Sequence, residues 1–266
     1  MLTGIVFGFS VYGLNPFLSK IQKLDLVAYR VKKIHSKSSP ALKYLDVHKD
    51  KVAILIDDLG TDMKTYQKLK GMNARFSYAI LPFQPYSEEI AKDARINHFD
   101  VLLHLPMESE GKDNPGKGAI YHTMTKEAIL NQTRSDLHAF PYIQGVNNHM
   151  GSKITSDRGE IEVILNEVKS QNLFFIDSRT TAETVAYEVA KKIGVKSAER
   201  QVFLDDDDHL VEIHQELNRL IKLSHQQGTA IAIGHPRRNT LKALESFLPR
   251  LDREGIEVVP VSTLVR

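Results

Sequence analysis

The chain has 266 residues, enough to bury a sizeable core, and its 42% hydrophobic and 26% charged content is that of an ordinary globular protein. A net charge of +2 gives no basic field for nucleic acid and no acidic solvating tail. There is no cysteine, which excludes disulfides, thiolate zinc sites and cysteine nucleophiles, so any metal must be held by His, Asp, Glu or water.

Residues 2–18 carry no charge and contain an apolar run from Ile5 to Leu14. The run is too short to span a bilayer but has the length of a signal-peptide core, although no basic residue precedes it. Residues 1–19 therefore read as a signal peptide or membrane anchor of a secreted or cell-envelope protein; the alternative is a packed N-terminal segment of a cytoplasmic one. Residues 20–49, rich in Lys and Ser and without a sustained period, read as a linker.

From residue 50 to 266 short β-rich runs alternate with helical patterns. VAILI (52–56) precedes a helix around Met63, Tyr66 and Leu69. FSYAIL (76–81) precedes a helix near 87–97, and VLLHL (101–105) leads through a loop rich in Gly, Asn and Pro to a helix near 125–138. GVNNH (145–149) comes before a helix opened by Asp157, with Glu160 at capping-box spacing. LFFID (173–177) leads to a helix near 182–193 that Gly194 should end. VFLD (202–205) leads to a helix near 209–226, AIAIGH (230–235) to one near 240–253, and IEVVPV (256–261) closes the chain. Strands apolar on both faces and alternating with helices predict a parallel sheet covered by helices, and the number of units favours a (β/α) barrel over an open sheet.

The β runs end in residues that bind metals or move protons: Asp57-Asp58, His104, His149, Asp177 and His235. In a parallel barrel such strand ends converge on one rim, where active sites are built. Asp57 and Asp58 point in different directions, so one can hold a cation while the other faces a substrate water; helix capping is the alternative for either. Asp58, His104 and His149 together offer a carboxylate and two imidazoles, with positions left open, as in catalytic rather than structural zinc sites. Glu108 is a candidate further ligand or orienting group, and Asn148 can orient His149 or a substrate. Asp177 and Arg179 can pair at the rim or at a helix entry. His235, if free of metal, is a natural proton donor to a leaving group. The run Asp205–Asp208 reads as a solvated helix N-terminus without a catalytic role, and His122, His214 and His225 as surface residues.

The blocks IDDLG (56–60), HLPME (104–108), GVNNHMGS (145–152), FFIDSRT (174–180), ERQVFLD (199–205) and AIGHP (232–236) resemble, in colinear order, the signature blocks of the divergent polysaccharide deacetylases, a remote branch of the NodB-like carbohydrate esterases. The resemblance implies a distorted (β/α)7-type barrel, the NodB-like glycoside hydrolase/deacetylase fold, with one divalent metal, usually Zn2+, at the strand ends. It also implies Asp57 as base, Asp58 as metal ligand and His235 as acid. The family's usual pair of histidines four residues apart is absent, since Glu108 follows His104, and the second imidazole is therefore assigned to His149. The expected activity is metal-dependent removal of acyl groups, N-acetyl foremost, from an amino-sugar polymer of peptidoglycan type. Its rivals are a silent envelope protein that binds glycan or a partner at the rim, and a hydrolase of another bond such as a phosphoester. No Gly-rich phosphate loop or Arg cluster near these blocks supports the last.

Overall fold

The computed structural model describes residues 49–266. The segments 1–19 and 20–48, read above as signal or anchor and as linker, lie outside the described residues. Among the described residues no helix is long and apolar enough to cross a membrane.

The described residues form nine strands: β1 (Asp50–Leu59), β2 (Ser77–Ile80), β3 (Asp100–Met107), β4 (Gly145–Met150), β5 (Phe174–Asp177), β6 (Ser197–Glu199), β7 (Val202–Phe203), β8 (Thr229–Gly234) and β9 (Ile256–Val258). Seven helices alternate with them: α1 (Met63–Lys70), α2 (Ser87–Ile96), α3 (Lys126–Leu137), α4 (Arg158–Ser170), α5 (Ala186–Ile193), α6 (Leu210–Gln227) and α7 (Arg238–Arg253). Every strand pair is parallel, in the order β6-β5-β4-β3-β2-β1-β8-β7, and β9 pairs with the start of β1. Although β6 and β7 stand at opposite ends of that order, only Arg200 and Gln201 separate them in the chain. Three residue steps reach at most about 11 Å, so the sheet must curl until its edges meet. With β6 and β7 sharing one position, the sheet is the distorted, incompletely bonded (β/α)7-type barrel expected from the sequence.

The period-two alternation of the strands divides the core in two. Ala53, Leu55, Leu102, Phe174, Ile176, Ile231 and Ile233 face inward and fill the barrel. Val52, Ile54, Ile56, Leu103, Val146 and Phe175 face outward, against helix residues such as Tyr66, Ile164, Leu217 and Leu244. At the C-terminal ends of β1, β3, β4, β5 and β8 the inward series runs on past the apolar core. Its next members are Asp57 on β1, His104 on β3, Asn147 and His149 on β4, Ser178 after β5, and His235 after β8.

Local signals set several helix ends. Asp62, not Asp57 or Asp58, caps α1 by accepting from the backbone N–H of Lys64. Asp157 caps α4 by accepting from Gly159 and Glu160, but Glu160 does not return the bond, because its carboxylate pairs with His122 at 2.8 Å. Gly194 ends α5 in the left-handed conformation, φ 78°, as expected.

Candidate active site

Strand β1 brings two adjacent carboxylates to one centre by breaking its own regularity. Its register with β2 shifts between Ile56 and Leu59, and Asp58 takes a left-handed φ of 58°, uncommon for a residue with a Cβ. This bulge turns Asp58 toward the rim while Asp57 keeps its inward place.

Asp58 Oδ1, His104 Nε2 and His149 Nδ1 form a tight triangle, with sides of 3.2 Å (Asp58–His104), 3.0 Å (Asp58–His149) and 3.1 Å (His104–His149). Ligand atoms of a tetrahedral zinc with bonds of ~2.0–2.1 Å stand about 3.3 Å apart, a few tenths more than here. Asp58 Oδ1 is buried and accepts no well-directed hydrogen bond despite the two nearby nitrogens. A buried carboxylate oxygen without a donor is costly, and a cation relieves it. The donor set therefore fits a divalent metal with open positions.

Asn147 prepares His104 for that role. Its Nδ2 donates to Asp57 Oδ1 at 2.9 Å and to Ser178 Oγ at 3.0 Å, which leaves its Oδ1 facing His104 Nδ1 at 3.0 Å. That contact is a bond only if His104 Nδ1 carries the proton, so in the neutral ring Nε2 turns a bare lone pair toward the centre.

Asp57 Oδ2 lies 3.6 Å from His104 Nε2. Burial pushes the Asp57 carboxyl up from its ordinary value, against the pull of His104 and His235. Burial acts on Asp58 in the same sense, but the close imidazoles of His104 and His149 prevail and hold it far below the usual carboxylate range. For His104, burial opposes the charged ring, yet Asp57 and Asp58 outweigh it and the net direction is up. Two neighbouring carboxylates are thereby driven apart in acidity, the pattern of a base beside a ligand.

Across the centre, His235 Nε2 stands 3.8 Å from Asp58 Oδ2. Asp205 fixes the ring, accepting from His235 Nδ1 at 2.9 Å and from the His235 backbone N–H at 2.7 Å. Thr240 Oγ1 donates to the same carboxylate at 2.6 Å. Burial of His235 opposes its charge, but the bond to Asp205 and the carboxylates Asp57 and Asp58 carry its pKa upward. Asp205 was expected in a solvated acidic run; instead it is fully buried, and with Asn147, Ser178 and Arg200 it is a site residue the sequence reading missed. Its signal was parity: it falls two residues after Phe203, which faces the cavity.

Two expected roles are corrected. Glu108 does not join the triangle of Asp58, His104 and His149: beyond the end of β3 its carboxylate bonds Lys153 Nζ at 2.8 Å and the His122 backbone N–H at 2.6 Å, fastening the following loop. Asp177 and Arg179 form no side-chain ion pair. Asp177 lies on the outward parity of β5, with Val146 and Phe175 on the helix side, and accepts from Thr184 Oγ1, the Tyr187 N–H and the Arg179 N–H; the Arg179 guanidinium pairs with Glu199. Asn148 lines the cavity and ties β4 to β5, its Oδ1 accepting from the Ser178 N–H at 2.9 Å. The cavity holds about 190 Å³ and is walled by Asp57, His104, His149, Ser178, Arg200, Phe203 and His235.

The family model described as divergent polysaccharide deacetylase matches residues 54–265, a span that contains all of these groups. The chain belongs to the divergent polysaccharide deacetylase family. Among its relatives in this family's sequence neighbourhood is the uncharacterized protein YibQ of Escherichia coli K12, 36% identical over 215 residues, covering 81% of this chain and 67% of that one. An uncharacterized protein of Haemophilus influenzae is 33% identical over 216 residues, covering 81% and 77%. The fold is that of the uncharacterized protein ATU2773 from Agrobacterium tumefaciens C58, with a TM-score of 0.78 at 22% identity, covering 82% of this chain and 89% of that one. It is also that of a mutant of BA3943, described as a CE4 family pseudoenzyme with restored enzymatic activity, with a TM-score of 0.51 at 14% identity over 81% and 67% of the two chains. The chain thus shares its curled parallel barrel with both of these structures.

Proposed function

We propose that this divergent polysaccharide deacetylase is a metal-dependent hydrolase that removes acyl groups, N-acetyl foremost, from an amino-sugar polymer of the cell envelope. The observation that carries the reading is Asp58 Oδ1, buried and without a directed donor, between two imidazole nitrogens at 3.0 and 3.2 Å. Asp58, His104 and His149 would hold one divalent ion, zinc by the chemistry of the donors. Bound there, the ion supplies Lewis-acid chemistry, easing ionisation of a water and drawing charge onto the acyl oxygen.

The chain's own groups supply the proton transfers. Asp57, held by Asn147, takes the proton of the attacking water. His235, its Nδ1 tied to Asp205, keeps Nε2 toward the centre and delivers a proton to the departing amine. Phe203 and Ile233 wall the same cavity and limit the water that reaches it. At about 190 Å³ the cavity lies below the ~300–1,000 Å³ of sites that enclose a drug-sized ligand, so it suits one acyl-amino end with the polymer outside. Action in the envelope, with residues 1–19 as signal or anchor, belongs to the same proposal and is checked by fractionation of cells expressing the full-length gene.

The test is acetate release from chitooligosaccharides and peptidoglycan fragments by the zinc-loaded chain. Release that stops in chelator and returns with zinc supports the proposal. Full activity in chelator contradicts metal dependence. Zinc binding without acetate release from any glycan favours the silent, glycan-binding alternative.

A further inference from the structure

Arg200 occupies the seam where the edges of the barrel meet, between β6 and β7. Its Nε donates to the Ser178 carbonyl and its Nη2 to the Arg179 carbonyl, both at 2.6 Å, and its guanidinium lies 4.5 Å from the centroid of the Phe203 ring. Those contacts fix the plane and use one edge of the guanidinium. Nη1 has no hydrogen-bond partner, and no carboxylate of the described residues lies within ion-pairing distance of the group. Arg179 and Arg219 nearby are neutralised by Glu199 and Glu216.

An unpaired, half-buried guanidinium is expensive unless something anionic meets it. Burial indeed lowers the Arg200 pKa, with Asp57 and Asp206 offsetting this only through space. Arg200, Thr180 and Phe203 wall both the reactive cavity of about 190 Å³ and an adjoining open groove of about 660 Å³. A sugar whose acyl-amino group entered the first would carry its ring substituents past Arg200 on the way to the second. Guanidinium forks match carboxylate and phosphate oxygens.

We infer that Arg200 selects an amino sugar bearing an anionic substituent, carboxylate or phosphate, beside its acyl-amino group. The inference rests on the deacetylase reading and specifies the substrate class of that site. The bland alternative is that Arg200 only steadies the charge of Asp57.

Matched probes separate these on the zinc-loaded full chain: N-acetylmuramic acid against its methyl ester for a carboxylate, and N-acetylglucosamine 1-phosphate against N-acetylglucosamine for a phosphate. Equilibrium binding and the kcat/KM of acetate release are both measured. The anionic member of at least one pair is expected to bind about 10–100-fold better, the scale of a charge-assisted bond. Arg200→Gln should bring that ratio close to one, and Arg200→Lys should retain part of it. Ratios near one in both pairs for the unaltered protein overturn the inference, as does a ratio that survives Arg200→Gln. Equal loss of kcat on both members with the ratio intact assigns Arg200 to Asp57 instead. Should no probe release acetate, the oligosaccharide and peptidoglycan test above decides the deacetylase reading, while the binding ratios still decide for or against anion selection. If Arg200→Gln does not fold, the ratios of the unaltered protein and of Arg200→Lys decide.

Discussion

Asn147 sets which nitrogen of His104 faces the centre, and Asp205 does the same for His235, although neither touches the proposed metal position. Asn147→Ala should lower zinc affinity about 10–100-fold, the usual cost of losing an outer hydrogen bond to a ligand histidine; competition with a chromophoric chelator checks this, and unchanged affinity would remove Asn147 from the account. Asp205→Asn should reduce deacetylation of an amine-leaving substrate about 10²–10⁴-fold, because an unoriented His235 is a poor acid. An aryl acetate, whose leaving group needs no proton, should lose far less, and comparing the two substrates isolates proton donation from general damage. The meeting of Asp58, His104 and His149 was legible in the sequence because each stands at the end of a buried run. Asn147 and Asp205 were not, because an amide and one acid among four consecutive acids look like rim decoration until inward parity is counted from Ala53, Leu102 and Phe203. Glu108 and Asp177 misled for the converse reason: they share the rim, but one lies beyond its strand and the other faces the helices.

At the level of elements, β4 depends on a missing side chain. A Cβ on Gly145 would lie 2.3 Å from the Phe174 ring, which fills the barrel interior beside it. Gly145→Ala should therefore destabilise the protein by about 1–3 kcal/mol through overpacking, read as a lower midpoint in urea unfolding. Helix α3 carries a different burden. Asp136 is fully buried, accepts one bond from Gln132 at 2.9 Å and leaves Oδ2 without a donor. Burial pushes its carboxyl up to about 7. An acid raised in the folded state keeps its proton there while the unfolded chain releases it, so this residue costs nothing below about pH 4 and lowers stability progressively toward pH 7. Asp136→Asn should be stabilising at pH 8, by on the order of 4 kcal/mol at most, and nearly neutral at pH 4; a difference independent of pH contradicts the burial argument. The helices themselves were read closely from capping residues and period. The start of α5 was placed too early because Thr184 and the Tyr187 N–H bond Asp177 in the preceding turn, a tertiary contact with no local signature.

For the whole molecule, the alternation of buried strands and amphipathic helices was enough to anticipate a parallel barrel. The seam at Arg200 and Gln201 was not, since two strands of three and two residues carry no periodic signal of their own. Curling the sheet until β6 and β7 meet brings residues from 57 to 235 around one small cavity, and the bulge at Asp58 completes it. The central claim is that Asp58, His104 and His149 share one ion. Crystals of the zinc-saturated protein, measured on both sides of the zinc absorption edge, test it directly. One strong anomalous peak bonded to Asp58 Oδ1, His104 Nε2 and His149 Nδ1 is expected, and its loss in Asp58→Ala. A zinc-saturated crystal with no peak at this triangle contradicts it.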